Sequence, residues 1–200
     1  MRIGILGAQG VGKTTLAEAL SKELEYPLIR EVVRDVMKDM GITSPRELKD
    51  DVEKSTEFQR ACLYRQIEEE GKHKNFVSDR TTIDNAAYWM KWHAHKNPSH
   101  VNTEYYQTAW ENAKKYDLLV YVPPEIPLVG DGCRSTNKDY QEEMAWLIGV
   151  LLYTWGERRI AVTGLLETRV KKVLAEMRRR KKEHALSMAV DIFQGRGDYD

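Results

Sequence analysis

The sequence is short of cysteine, of long apolar runs and of excess charge of either sign. Its 200 residues include only two cysteines, Cys62 and Cys133, and neither has the spacing of a disulfide framework or a zinc site, which indicates a reducing compartment. No stretch approaches the roughly 18 consecutive apolar residues of a membrane span. Residues 3–6 form a short apolar run that leads into glycines and not into a cleavage site, which indicates a strand and not a signal peptide. We therefore expect a cytoplasmic protein that does not contact membranes.

The charges are balanced, with 31 basic and 31 acidic residues and a net charge of zero. Bulk electrostatics therefore predict no tight, sequence-independent binding of nucleic acid, although a local basic patch is compatible with this balance. There is no internal repeat, low-complexity segment or linker, and the length suits one α/β domain. We expect a single domain over residues 1–194 and a flexible tail over residues 195–200.

Short apolar strands alternate with longer helical patterns along the chain. We predict strands over residues 2–8, 27–31, 75–78, 118–122 and 159–162. Helices are predicted over residues 14–24, 32–40, 45–51, 53–72, 82–93, 103–115, 139–153 and 167–193. Apolar strands separated by helices are typical of a parallel sheet covered on both faces. The predicted fold class is therefore α/β, with three α/β/α layers around a five-stranded parallel sheet.

The loop after the first predicted strand has the pattern G-x-x-x-x-G-K-[ST] of a phosphate-binding P-loop. Its residues are Gly7, Ala8, Gln9, Gly10, Val11, Gly12, Lys13 and Thr14, and Thr15 follows them in the predicted helix. Glycines allow backbone N–H groups to surround an anion, and a helix N-terminus adds about half a positive charge. We expect Lys13 to contact the β- and γ-phosphates of ATP and the Thr14 hydroxyl to bind Mg²⁺. The pattern and its context predict a P-loop NTPase fold.

Glu31 stands at the end of the second predicted strand. Because the carboxyl ends of parallel strands meet at one crevice, we expect Glu31 on the acceptor side of the site. A carboxylate there can take the proton of an attacking hydroxyl group as a general base. The alternative is an exposed glutamate that interacts with a helix dipole. Arg34 follows one helical turn later and is expected to pair with Glu31 or to bind an acceptor group.

Asp79 and Arg80 stand together at the end of the third predicted strand. Asp79 is the expected second-shell magnesium carboxylate, and the guanidinium of Arg80 is suited to bind phosphate or to orient the acceptor. The alternative is an ion pair or an Asp-containing turn at the strand end. Thr81, Thr82 and Asp84 are expected only to cap the next helix.

The loop before residue 137 combines glycines with a lone arginine, in the order Gly130, Asp131, Gly132, Cys133 and Arg134. Such a composition is typical of a mobile flap that brings positive charge to a transferring phosphoryl group. An ordinary surface loop is the alternative.

With these motifs in place, residues 2–172 resemble the P-loop kinases of nucleosides and nucleotides. The resemblance is greatest to the kinase domain of nicotinamide-riboside kinases and to the small AAA-like kinases often found in phages. The segment Arg30-Glu31-Val32-Val33-Arg34 resembles their acidic substrate motif, and Asp79-Arg80 resembles the Asp-Arg or Glu-Arg pair of thymidylate and deoxynucleoside kinases. Asp131-Gly132-Cys133-Arg134 resembles the lid of the nicotinamide-riboside group, and Val162-Thr163-Gly164 resembles their adenine-side loop.

The resemblance and the motifs together predict a kinase that transfers the γ-phosphate of Mg·ATP to a hydroxyl group of a nucleoside-like acceptor. The residues assigned to catalysis are Lys13, Glu31, Arg80 and Arg134. Those assigned to the acceptor are Glu31, Arg34, Asp79 and Arg80, and those assigned to Mg²⁺ are Thr14 and Asp79. The guanine-reading pattern Asn-Lys-x-Asp is absent, since Asn137-Lys138-Asp139 lacks the spacer, and this favours ATP over GTP.

Three alternative functions stay open at this point. A nucleoside monophosphate kinase is one, although the single Arg134 is fewer arginines than thymidylate kinases usually carry in the lid. A kinase of hydroxymethylated pyrimidines in DNA, as some similar phage kinases are thought to be, is the second. Its DNA contacts would come from the basic run Arg178, Arg179, Arg180, Lys181 and Lys182, whose alternative is a solvated helix face. The third is a nucleotide-dependent ATPase or switch, and the oligomeric state is open, with a dimer compatible.

An aromatic group surrounds the predicted break near residue 98, and three histidines accompany it. The aromatic residues are Tyr88, Trp89, Trp92, Tyr105, Tyr106 and Trp110. They are suited to stack a base, but packing in the core is the more common role of such a group. The histidines His93, His95 and His100 have no acidic or cysteine partners at metal-binding spacing, so they are predicted to lie on the surface.

Overall fold

The computed structural model describes residues 1–48, 51–125, 137–155 and 159–193, and five strands in these ranges form one parallel sheet. They are β1 (Arg2–Leu6), β2 (Leu28–Ile29), β3 (Phe76–Asp79), β4 (Leu118–Tyr121) and β5 (Arg159–Ala161). Their spatial order is β2-β3-β1-β4-β5, so β1 lies at the centre with two strands on either side. The apolar side chains of β1 are fully buried from Ile3 onward, as expected for the central strand of a sheet covered on both faces. The predicted α/β class and five-stranded parallel sheet are confirmed.

Seven α-helices in the described ranges cover the two faces of the sheet. They are α1 (Lys13–Leu24), α2 (Val33–Asp39), α3 (Val52–Gly71), α4 (Thr82–Trp92), α5 (Ser99–Ala113), α6 (Lys138–Trp155) and α7 (Leu166–Phe193). Crossovers between parallel strands are right-handed. The chain crosses the sheet in one direction from β1 to β2, and in the opposite direction from β2 through β3 and β4 to β5. The helices of the first connection and those of the later connections therefore lie on opposite faces of the sheet. Accordingly, α1 packs with α7, whereas α4 packs with α3, α5 and α6. This is the predicted three-layer arrangement.

The start of α5 differs from the prediction. We expected a break at Pro98 and a helix from residue 103, but α5 begins at Ser99 and Pro98 is its N-cap residue. The carbonyl group of Pro98 accepts hydrogen bonds from the N–H groups of Val101 and Asn102, at 3.1 Å each. The N–H groups at the start of a helix have no intrahelical partner, so a proline is tolerated there. The expected break between α4 and α5 is therefore present, and α5 begins directly after Pro98.

Two other elements are shorter or tighter than predicted. β2 comprises only Leu28–Ile29 of the expected 27–31, because it is an edge strand that pairs with β3 at just these two residues. The expected helix over 45–51 is a 3₁₀ helix, Pro45–Leu48, in the described part of that segment. The residues after β2 therefore leave the sheet early, and Glu31 lies in a loop beside the edge strand.

A buried polar cluster fixes β3 against the helices behind it. Glu70 of α3 is only 5% exposed, and its carboxylate accepts hydrogen bonds from Gln66, Ser78, Asn112 and Tyr116. Burial raises the pKa of Glu70, although these four donors favour the charged form. Since Ser78 belongs to β3, the cluster holds the strand one residue before its carboxyl end.

A second, smaller hydrophobic cluster lies beside the edge strand and joins α2, the 3₁₀ helix and α3. Its buried members are Val32, Val36, Ile42, Leu48, Phe58 and Cys62. Burial raises the pKa of the free Cys62 thiol to about 12, so this cysteine stays protonated and packs as a small apolar side chain. Cys133 lies outside the described residues. None of the described helices combines the length and the apolar composition that a bilayer crossing requires.

Candidate active site

A cleft of about 210 Å³ opens at the carboxyl edge of the sheet, where β1, β2 and β3 end. Its lining residues are Gly10, Gly12, Lys13, Thr14, Thr15, Glu31, Asp79 and Arg80. They come from three separate loops that parallel strands bring to one edge. The cleft thus unites the phosphate loop, Glu31 and the Asp79-Arg80 pair.

Lys13 is the first residue of α1, and its side chain crosses the phosphate loop. Its ammonium group donates a hydrogen bond to the carbonyl oxygen of Ala8 at 2.6 Å, and the residue is only 6% exposed. Burial, with a smaller contribution from the positive charge of Arg80, lowers the pKa of Lys13 to about 8. Lys13 therefore holds an incompletely compensated positive charge inside the loop, where an anion would be stabilised.

Thr14 and Asp79 meet at the floor of the cleft. The Thr14 hydroxyl donates a hydrogen bond to Oδ2 of Asp79 at 2.6 Å, which joins the start of α1 to the end of β3. A hydroxyl and a carboxylate oxygen are hard ligands of the kind that Mg²⁺ takes beside nucleotide phosphates. Their close approach fits the assignment of Thr14 to Mg²⁺ and of Asp79 to its second shell. Among the described residues no cluster of three His, Cys, Asp or Glu side chains offers another metal site.

Glu31 and Arg80 form an ion pair across the acceptor side of the cleft, with 2.6 Å between Oε1 of Glu31 and Nε of Arg80. The Nε–H bond is not directed at that oxygen, so this buried group has no hydrogen-bond partner among the described residues. The guanidinium also lies over the ring of Tyr88, 5.2 Å from its centroid. Burial lowers the pKa of Arg80, but the contributions of Tyr88 and Glu31 raise it well above its ordinary value. Arg80 is thus a fixed cation beside the cleft.

The backbone at Arg80 adopts the left-handed region, with φ at 93°. An L-residue pays a steric penalty of roughly 1–3 kcal/mol in such a conformation, which persists only where the surroundings enforce it. The N–H group of Arg80 donates to the carbonyl of Ile5 at 3.0 Å, and Thr81 then begins the N-cap of α4. The strained turn directs the guanidinium back over the cleft.

The role of Asp84 was missed by the sequence analysis, which expected only a helix cap. Asp84 does complete a capping box with Thr81, but it is also fully buried and accepts the N–H group of Gly7 at 3.2 Å. Burial raises the pKa of Asp84, while the charges of Lys13 and Arg80 lower it. One carboxylate therefore anchors both the first residue of the phosphate loop and the helix that follows Arg80. A capping pattern alone could not reveal the second contact, since Gly7 and Asp84 belong to distant parts of the chain.

Among the described residues that were predicted for the site, Gly7, Ala8, Gln9, Val11 and Arg34 are not among those that line the cleft. Arg34 is exposed in the first turn of α2 and is not among the lining residues, because Val32 and Val36 occupy the buried face of this segment. Residue 34 lies about 200° around the helix from Val32, on the outward side. Arg134 and the rest of the proposed lid lie outside the described residues, so their assignment stays a prediction.

The basic run 178–182 lies near the opposite edge of the sheet. Arg180 donates to the carbonyl oxygen of Asp117, which immediately precedes the amino end of β4. Arg179 forms ion pairs with Glu176 and Glu183, and Arg180 forms one with Glu176. Part of the positive charge is therefore neutralised within α7, and the run is separated from the cleft by the length of the strands.

The aromatic residues divide between the core and the site. Trp89 and Tyr105 are buried and stacked, with ring centroids 3.9 Å apart, as the packing interpretation predicted. Tyr88 instead contacts Arg80, and the exposed Trp92 lies against Tyr140 of α6. The prediction of surface histidines is wrong for His93, which is 2% exposed and stacks on Trp89 with 5.2 Å between ring centroids.

Comparison with known proteins identifies the family of the chain. A family model described as AAA domain matches residues 2–169, which is most of the chain. The chain belongs to the AAA domain family. No curated protein has a sequence significantly similar to this AAA domain.

Several solved structures have the same fold. Deoxyadenosine kinase from M. mycoides is 16% identical, with a TM-score of 0.64 over 90% of this chain and 99% of that chain. The NadR protein, solved in complex with NR, is 17% identical, with a TM-score of 0.66 over 89% of this chain and 50% of that chain. Shikimate kinase from Aquifex aeolicus is 16% identical, with a TM-score of 0.55 over 90% and 98% of the two chains. The fold of this AAA domain is therefore that of the small P-loop kinases.

Proposed function

We propose that this AAA domain is a kinase that transfers the γ-phosphate of Mg·ATP to a hydroxyl group of a nucleoside-like acceptor. The observation that carries the proposal is the placement of the Glu31–Arg80 ion pair in the same cleft as Lys13, Thr14 and Asp79. A nucleotide-binding loop alone serves switches, motors and kinases alike. A carboxylate and a fixed arginine facing that loop form an acceptor side, which a kinase requires.

The donor side of the cleft is suited to a triphosphate. The N–H groups of the phosphate loop and the charge of Lys13 would bind the β- and γ-phosphates. Thr14 and Asp79 would hold Mg²⁺, which when bound neutralises charge on the phosphate oxygens. Lys13 stabilises negative charge that spreads over the transferring group and the leaving diphosphate.

The acceptor side supplies a base and a donor. Glu31 would take the proton of the acceptor hydroxyl as its oxygen bonds to the γ-phosphorus, while the bond from this phosphorus to the β–γ bridging oxygen breaks and ADP leaves with the electron pair. Arg80 keeps Glu31 oriented through the 2.6 Å ion pair. The guanidinium of Arg80 lines the cleft and is suited to donate to the acceptor or to a phosphate oxygen. These residues would thus accelerate the transfer mainly by positioning the reactants and by stabilising charge.

The choice of a nucleoside-like acceptor is supported from two directions. Tyr88 offers an aromatic ring beside Arg80, and base stacking on such a ring is worth about 1–3 kcal/mol. The similar solved structures include a deoxyadenosine kinase and a NadR protein in complex with NR. Shikimate kinase shares the fold as well, so the fold by itself does not select the acceptor.

The test is transfer of ³²P from the γ-position of ATP, with Mg²⁺, to a panel of acceptors. The panel holds nucleosides, nicotinamide riboside, nucleoside monophosphates, and plain and hydroxymethylated DNA. We expect label on a nucleoside-like acceptor, a loss of at least about 100-fold in kcat with Glu31→Gln, and loss of nucleotide binding with Lys13→Ala. Glu18→Gln is the matched control, because it removes the same charge from an exposed ion pair with Arg30 and leaves the cleft intact.

Each other outcome selects a different function. Label on a nucleoside monophosphate, with little effect of Glu31→Gln, would indicate a monophosphate kinase, since a phosphate acceptor needs no strong base. Label on hydroxymethylated DNA, with salt-sensitive binding through residues 178–182, would indicate a kinase of modified bases. Slow hydrolysis of ATP without transfer to any acceptor would contradict the kinase proposal and favour a nucleotide-dependent ATPase or switch.

A further inference from the structure

Two buried polar side chains from distant helices contact the outside of the phosphate loop. Gln141 of α6 is 4% exposed, and its Nε2 donates a hydrogen bond to the carbonyl oxygen of Gln9 at 2.7 Å. Arg169 of α7 is 3% exposed, and its Nη1 donates to the carbonyl oxygen of Val11 at 2.9 Å. Neither residue lines the cleft, and no sequence motif marks either of them.

Arg169 is itself held on both sides. Its Nε donates to the carbonyl oxygen of Gly164 at 2.8 Å, and its Nη2 forms an ion pair with Glu125 at 3.3 Å. The same carboxylate oxygen of Glu125 accepts the N–H group of Gly164 at 2.9 Å. A buried guanidinium with these partners is fixed in position, so its contact with Val11 constrains the loop and not the arginine.

The two carbonyl groups determine where the next N–H groups point. In a trans peptide the C=O and N–H bonds lie on opposite sides of the chain, and the structure contains no cis peptide in its described part. Because Gln141 holds the Gln9 carbonyl from outside, the N–H group of Gly10 is directed away from α6. The Val11 carbonyl, held by Arg169, likewise directs the N–H group of Gly12 away from α7.

These two glycines are the ones that line the cleft. Gly10 and Gly12 have φ values of 75° and 88°, which L-residues rarely adopt, and both contribute to the lining of the cleft. Within the described part of the chain no backbone carbonyl accepts a hydrogen bond from either N–H group. The N–H groups are therefore aimed into the cleft as unused donors, which is the arrangement that binds an anion.

We propose that Gln141 and Arg169 are positioning residues that hold the phosphate loop in its anion-binding conformation before a nucleotide arrives. The proposal rests on the nucleotide-binding part of the proposed function. A loop that is already ordered loses less conformational entropy on binding, so affinity for the phosphates is increased. Each of the two side chains fixes one carbonyl group and thereby the direction of the glycine N–H group in the same peptide.

The test measures binding of inorganic tripolyphosphate and of ATP, both with Mg²⁺, by calorimetry. Gln141→Met keeps the size of the side chain and removes the donor, and Arg169→Lys keeps the charge and removes the fork. We expect the Kd for tripolyphosphate to rise about tenfold or more in each variant, and the Kd for ATP to rise similarly. The matched controls are the exposed Gln107→Met on α5 and Arg65→Lys on α3, which removes the fork from a surface ion pair with Asp39, and both should leave the two Kd values unchanged.

A second readout separates positioning from a general loss of structure. With glycines labelled by ¹⁵N, the amide signals of Gly10 and Gly12 should shift in the corresponding variant, whereas those of Gly71 and Gly149 should not. If Arg169→Lys fails to fold, Gln141→Met decides the question alone. Folded variants that bind tripolyphosphate as the unchanged protein does would overturn the proposal. Because the readout is binding and not transfer, this result is independent of whether any acceptor is phosphorylated.

Discussion

Burial in the cleft changes the pKa of a side chain that is expected to bind phosphate. Lys13 has a pKa of about 8 because it is buried, and Arg80 adds a like charge nearby. A lysine that binds phosphate must be charged, and in the free protein the charged form predominates only below this pKa. The phosphate loop therefore has a pH limit that lies much closer to neutrality than an exposed lysine would give.

We expect the Kd for Mg·ATP to be constant between pH 6.5 and about 7.5 and to rise above pH 8, approaching tenfold for each further pH unit. The lowered pKa of Lys13 sets the sign, because the active charged form is lost as the pH rises. Titration calorimetry between pH 6.5 and 9.5 measures the profile. Lys13→Ala should bind weakly with a flat profile, and a constant Kd up to pH 9.5 in the unchanged protein would contradict the assignment.

A second residue-scale property is the requirement for glycine at position 7. Gly7 has a φ of 147°, and a Cβ atom there would approach the carbonyl oxygen of Val122 to 2.4 Å. Gly41 also has a positive φ, 64°, but a Cβ atom there would have no neighbour within 4 Å. Substitution at Gly41 therefore tests backbone strain alone, whereas substitution at Gly7 tests backbone strain together with a steric collision.

Gly7→Ala is therefore expected to lower the free energy of unfolding by roughly 3 kcal/mol or more, because strain and a backbone collision act together. Gly41→Ala should lower it by about 1–2 kcal/mol, from strain alone. Urea unfolding of both variants measures the difference. Equal losses in the two variants would show that the contact with Val122 is relieved by a small backbone shift.

At the scale of elements, α4 ends in a buried histidine that the sequence analysis assigned to the surface. The Nδ1 atom of His93 has no partner among the described residues, and its ring stacks on Trp89. Burial, with smaller contributions from the charges of Lys96 and His95, lowers the pKa of His93 to about 4. The imidazole is therefore neutral in the folded protein near neutral pH.

This histidine should make the fold sensitive to acid. An unfolded histidine has a pKa of about 6.5, so below that pH the unfolded state binds a proton that the folded state does not accept until about pH 4. The free energy of unfolding is expected to fall by up to about 3 kcal/mol between pH 6.5 and 4 from this group. In His93→Phe, which keeps a ring against Trp89, the loss over this pH interval should be smaller by that amount. His95→Gln, an exposed neighbour, should retain the full loss, and equal acid sensitivity in both variants would exclude His93 as its source.

At the scale of the whole molecule, the two halves of the cleft belong to different parts of the chain, so binding of a nucleotide should stabilise the entire domain. A ligand at 100 times its Kd stabilises the folded state by about 2.7 kcal/mol. For a domain of this size we expect Mg·ATP to raise Tm by about 5–10 °C. Differential scanning fluorimetry with and without EDTA measures the effect, which should shrink when Mg²⁺ is removed and nearly vanish in Lys13→Ala. A rise in Tm that persists in Lys13→Ala would indicate binding elsewhere.

The sequence predicted most of the fold and those site residues whose signals are local. The phosphate loop is a continuous pattern, and Glu31 and Asp79 follow predicted strands, so their meeting at one edge follows from parallel topology alone. The contacts of Asp84, Gln141 and Arg169 could not be predicted, because their partners lie 77, 132 and 158 residues away. A single buried polar residue on a helix leaves no pattern along the chain.

The errors have the same origin. In the sequence Lys91, His95 and Lys96 stand close to His93, but only the packing of α4 against α5 determines that His93 is enclosed. The break at Pro98 was predicted correctly, since α4 ends at Trp92 and α5 begins at Ser99, but the start of α5 was predicted too late, at residue 103. The side chain of Asn102 donates to the carbonyl groups of Ala94 and Asn97, a contact of the first helical turn that the sequence does not show. Tertiary contacts decided each of these points.

The order of the strands has an evolutionary consequence. The segment from β2 to the start of β3 forms one flank of the domain, contains Glu31, and has a small hydrophobic cluster of its own beside the edge strand. Mutations in this stretch leave β1, β4, β5 and the helices that brace the phosphate loop untouched. A lineage can therefore exchange one acceptor for another by remodelling a single continuous piece of the gene, while the machinery that handles the nucleotide is inherited unchanged.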